Sequence, residues 1–78
     1  MNTAELKILR TAFEKLTAGK TLEDRAEQLT YNITQQLLRA ERTVARKGYL
    51  DDVSRKFLIE DIEELQVLLS IPKNGEAG

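Results

Sequence analysis

Four carboxylates stand close together at Glu60, Asp61, Glu63 and Glu64, and they are the residues most able to suggest chemistry. Glu60 and Glu64 are four apart, so a helix would put them on one face. Such a pair could hold a divalent cation, but helical di-metal sites combine glutamates with Glu-x-x-His motifs. The chain has no histidine and no cysteine, which removes the usual zinc ligands and the usual base for a nucleophile. The two serines, Ser54 and Ser70, fall where helix caps or helix surfaces account for them. Gly19-Lys20-Thr21 matches only the end of a phosphate-loop pattern, with no glycine in the required upstream position and no preceding strand. The expectation is therefore a protein that is not an enzyme and that carries no metal and no cofactor. The acidic group is read as a solvated face or as a docking patch for a basic partner.

A second cluster is basic. Arg39, Arg42, Arg46, Lys47, Arg55 and Lys56 gather around Gly48, with Glu41, Asp51 and Asp52 as the local acids and Tyr49 in the middle. Cations at a helix end suit the helix dipole. The same group could contact a protein partner, or hold phosphates with Tyr49 stacked on a base. Over the whole chain, 12 basic and 13 acidic residues give a net charge of −1, which speaks against a general nucleic-acid coat or a polybasic membrane binder.

The elements that must position these residues are helices. Gly19, Gly48 and Pro72 punctuate three segments with helical periodicity. The first spans about 4–18, with Asn2 or Thr3 as cap and Glu5 placed for a capping box. Its apolar stripe is Leu6, Leu9, Phe13 and Leu16, widened by Ile8 and Ala12. The second spans about 22–47, with Thr21 as cap. Leu22, Ala26, Leu29, Ile33, Leu37, Ala40 and Val44 form its inner stripe, in an eleven-residue repeat that favours a nearly straight helix. Its length is on the order of 38 Å. Tyr31, Leu38 and Ala45 lie off that stripe at seven-residue spacing.

The third helix spans about 52–70 after an Asp51 cap. Val53, Phe57, Leu58, Ile62, Leu65, Leu68 and Leu69 are expected to face inward, with Ile59 and Val67 to the sides. From Leu65 to Ile71 only Gln66 and Ser70 are polar, so this end must be covered on more than one side. Strand patterns are absent. Short turns make the architecture an all-α, three-helix antiparallel bundle. One domain, 1–71, carries it, and residues 72–78 are expected to be a frayed tail.

A core of this size supplies roughly 3–5 kcal/mol, and without disulfide or zinc the remaining aids are regular packing and oligomerisation. A homodimer is expected, with Tyr31, Leu38, Leu65, Val67, Leu68, Leu69 and Ile71 in self-association. The N-terminus lacks a signal-peptide layout, and no apolar run reaches the ~20 residues of a membrane span. A cytoplasmic protein is expected, with no membrane partner, in keeping with the absence of cysteine. The sequon Asn32-Ile33-Thr34 lies inside a helix and reads as coincidence.

The function expected is that of a small helical protein–protein interaction module: an adaptor, inhibitor or assembly factor that occludes a partner's surface, with a size typical of phage or mobile-element accessory proteins. The alternatives are a nucleic-acid-associated regulator using the basic corner at 39–56, and a structural subunit of a larger complex.

Overall fold

The computed structural model describes residues 1–70, and they are all-α: α1 is Thr3–Thr17, α2 is Asp24–Lys47 and α3 is Asp52–Ser70. Among the described residues there is no strand, and no helix is long and apolar enough to cross a membrane. Ile71 and the expected tail at 72–78 lie outside the described residues.

Three of the helix ends have a clear local cause. Asn2 caps α1: its side-chain oxygen accepts from the Glu5 N–H at 3.0 Å, satisfying a donor that has no partner inside the helix. Gly48 ends α2 in the left-handed region, at φ 87°, and its N–H reaches the Val44 carbonyl at 2.7 Å. A residue without a Cβ takes that conformation without strain. Asp51 precedes α3 and accepts from the Ser54 N–H at 3.1 Å.

The start of α2 differs from the expectation. The cap is Glu23, with extended backbone, and the side chain of Thr21 takes no part. Residues 18–23 instead form a longer connection, in which Leu22 packs, partly buried, against the core. Gly19 is left-handed as expected, at φ 69°, but stands one residue beyond the α1 cap, Ala18.

The core sits on α2. Its six buried residues, Ala26, Leu29, Ile33, Leu37, Ala40 and Val44, are the inner stripe read from the sequence without its first member. Leu6 and Phe13 reach it from α1, and Leu58, Ile62 and Leu65 from α3. α2 packs against both other helices, more extensively against α3. The half-buried Thr30 and Thr34 return their hydroxyls to the Ala26 and Thr30 carbonyls, so they need no partner elsewhere. Among the described residues no buried side-chain polar atom is left unpaired.

Two expectations about the core are corrected. Val53 and Phe57 were expected inside and are 63% and 59% exposed. On α3 Val53 lies across the helix from Leu58, Ile62 and Leu65, and Phe57 stands about 100° round from Leu58, at the edge of the arc that α2 covers. Ile8, expected to widen the α1 stripe, is likewise 68% exposed. In the other direction, Leu50 is read from sequence as a turn residue and is buried.

Candidate functional site

The turn between α2 and α3 is built as a rigid corner. The Met1 ammonium donates to the Leu50 carbonyl at 3.1 Å, and the Leu50 N–H donates to the Met1 carbonyl at 2.8 Å. This reciprocal pair holds the first residue against the turn and helps seat the Leu50 side chain in the core. Ser54 gives both its N–H and its hydroxyl to Asp51, the latter at 2.8 Å. These two bonds, backbone first, hold the Asp51 carboxyl below its ordinary value.

The basic corner is assembled here. Arg39, Arg42, Arg46, Lys47, Tyr49, Arg55 and Lys56 are all exposed. Among the described residues, Arg39, Arg42, Arg46, Lys47 and Lys56 form no ion pair, and Arg55 only approaches Glu5 at 3.8 Å. Arginines elsewhere are used internally. Arg10 forks onto Glu41 with bonds of 2.8 and 2.6 Å, and that hydrogen bonding raises its pKa. Arg25 reaches Glu64 at 2.5 Å. The unpaired arginines therefore all stand in the second half of α2, joined by Lys47 and Lys56, while Lys7, Lys15 and Lys20 are further cations without an ion pair among the described residues.

Beside this corner an open groove of about 460 Å³ runs between α2 and α3. Ala40, Leu50 and Leu58 supply apolar lining, and Gln36, Arg39, Thr43, Ser54 and Asp61 supply polar lining. Phe57 also lines it while remaining mostly exposed.

The acidic face is divided. Asp61 accepts from the Gln36 amide at 2.5 Å, and Glu64 is engaged by Arg25, so both tie α3 to α2. Glu60 and Glu63 are exposed and form no ion pair among the described residues. Among the described residues no cluster of His, Cys, Asp or Glu side chains could hold a metal ion.

The residues expected in self-association also separate. Tyr31, Leu38 and Val67 are exposed, Leu68 and Leu69 are half-buried, and Leu65 is wholly covered within the single chain. Leu65 is thereby spent on the monomer core, on the same face of α3 as Leu58 and Ile62. Sequence reasoning missed the Met1–Leu50 pair and the two ties at Asp61 and Glu64, which join residues distant in sequence. The signal it did hold was the wide apolar arc of α3, which a single neighbour cannot cover.

No family model, no curated protein and no solved structure matches the chain.

Proposed function

We propose that the chain is a protein-interaction module that works without chemistry of its own, by seating a partner along α2 and α3 and covering that partner's surface. An adaptor, an inhibitor and an assembly factor would all work in this way. The carrying observation is the exposure of Val53 and Phe57 on α3 while the core is complete without them. Large apolar side chains left in water beside an apolar-floored groove favour a docking face over a solvated one. The unpaired cations around Gly48 add electrostatic preference for an acidic partner surface.

The reading includes an antiparallel three-helix bundle. Met1 pairs with Leu50 and Arg10 with Glu41, so α1 advances as α2 recedes. Arg25–Glu64 and Gln36–Asp61 give the same relation between α2 and α3. It also includes self-association, with the homodimer as its smallest form, supported by the exposure of Tyr31, Leu38 and Val67. The absence of cysteine fits a reducing compartment such as the cytoplasm.

The test is affinity capture from native extract with two baits, the wild-type chain and Phe57→Asp. Proteins recovered at stoichiometric amounts by the wild type and lost with the variant support the reading. Identical recoveries from both baits would sink it.

A second reading, nucleic-acid binding, is favoured by one observation: the five unpaired cations share their corner with an exposed Tyr49. Phosphate contacts of that kind lose affinity steeply with salt. Anisotropy titrations at two salt concentrations check it, and no salt-sensitive binding at micromolar protein excludes it.

A further inference from the structure

Five of the seven large apolar side chains exposed among the described residues fall on two lines, one on α2 and one on α3. The α3 line is Val53, Phe57, Glu60, Glu64 and Val67, all exposed. Its spacing is 4, 3, 4, 3, the heptad step that keeps a seam of side chains facing a neighbouring helix. The α2 line is Tyr31, Gln35, Leu38, Arg42 and Ala45, exposed except for the half-buried Gln35, and its spacing is also 4, 3, 4, 3. Neither line contributes a residue to the core.

The two lines carry opposite charge. Along residues 38–47 the charged side chains are Arg39, Arg42, Arg46 and Lys47 against Glu41 alone, and Glu41 is already taken by Arg10. Along residues 52–64, five carboxylates stand against Arg55 and Lys56; Asp61 and Glu64 are already engaged by Gln36 and Arg25, which leaves Asp52, Glu60 and Glu63. Arg42 in the first seam and Glu60 in the second have no ion pair among the described residues. Each seam thus has apolar contacts at its ends and an unsatisfied charge inside that the other would complement.

We infer that copies of this chain associate head to tail, the α2 seam of one copy seated on the α3 seam of the next. The inference rests on the interaction reading above and specifies one occupant for its α3 face. The seams do not open on the same side. Arg39, which lines the groove between α2 and α3, follows Leu38 and so stands roughly 100° around the helix from it. A partner on the α3 seam therefore leaves that partner's own α3 seam, and the first copy's α2 seam, unfilled. This is a heterologous contact, which builds rings or open chains instead of a closed two-fold pair. Each seam spans fourteen residue steps, about 21 Å. Two helices meeting over that length form a small interface, so association is expected at high micromolar concentration, not at nanomolar.

The test uses Leu38→Asp and Phe57→Asp, each of which blocks one seam with a charge at a residue outside the buried core. Sedimentation at several hundred micromolar should show the wild type as a concentration-dependent series. Each variant alone should associate about 30-fold more weakly or less, the loss expected for a central interface side chain. An equimolar mixture should recover a discrete one-to-one pair, since each variant keeps the seam the other lacks. Should either variant lose helical circular dichroism, Arg42→Glu and Glu60→Lys replace the pair: each alone should associate more weakly, and their equimolar mixture, in which the reversed charges complement each other as the native ones do, should recover the wild-type series. A wild type that stays monomeric overturns the inference. So does a mixture no larger than its components. Variants that each still self-associate overturn it while leaving a docking role for Phe57, as read by the capture experiment, intact.

Discussion

Phe57 and Leu58 are adjacent and both large and apolar, yet the structure assigns them opposite consequences. Leu58 is 1% exposed among Ala40, Leu50 and the α2 stripe, whereas Phe57 is 59% exposed. Truncating a buried leucine to alanine removes transfer energy and leaves a cavity, at about 2–5 kcal/mol. A domain of this size commands roughly 3–5 kcal/mol in all, so Leu58→Ala should leave it barely folded at 25 °C. With ~4–8 °C of melting temperature per kcal/mol, a fall of at least about 8 °C is expected. Full burial of a phenylalanine side chain stabilises by up to ~3 kcal/mol, and about two-fifths of Phe57 is covered, so Phe57→Ala should cost about 1 kcal/mol. Thermal unfolding followed by circular dichroism at micromolar protein separates the two. Dilution matters, because copies that associate through Phe57 would add concentration-dependent stability to the wild type. Equal losses in the two variants, or a larger loss for Phe57→Ala, would refute the placement of the α3 faces and the interaction reading with it.

Two further outcomes follow from the turn at Gly48. A Cβ built there meets nothing within 4 Å, so Gly48→Ala should cost only the backbone strain of its φ of 87°, about 1–2 kcal/mol; an unchanged melting temperature would contradict the left-handed cap. Asp51 has its folded pKa below the ordinary 3.8, so its stabilising bonds to Ser54 are fully present above that value and fade as pH falls through the lower folded value. Asp51→Asn should therefore lose its deficit relative to wild type in acid, and an acid-melting series in which the gap stays constant would exclude the cap as its cause.

Helix existence and the α2 core stripe were legible because both depend on local periodicity. The third helix was legible only as a helix. Val53, Phe57 and Val67 share its apolar character with Leu58, Ile62 and Leu65, so the pattern alone cannot tell the covered arc from the surplus. That choice is made by the angle at which α3 meets α2, fixed partly by Gln36–Asp61 and Arg25–Glu64. Thr21 failed as a cap for a similar reason: local chemistry favoured it, but Leu22 packs against the core in the connection and the helix begins after it. The basic corner was visible as a list of residues. Which of its cations are unpaired depends on where Glu5 and Glu41 come to rest, and that is a tertiary property.

The reciprocal bonds between Met1 and Leu50 also govern how the molecule can be handled. A peptide nitrogen in place of the ammonium keeps one N–H to donate, so residues added ahead of Met1 need not break the pair. They would, however, leave the surface at Leu50, in the turn that carries the basic corner. A purification tag or fluorophore joined there would hang over the corner that any acidic ligand must reach, and an acidic tag would occupy it. Binding measurements with amino-terminally tagged protein would then report on the tag as much as on the fold, whereas a dye placed there deliberately would make a sensor for whatever arrives.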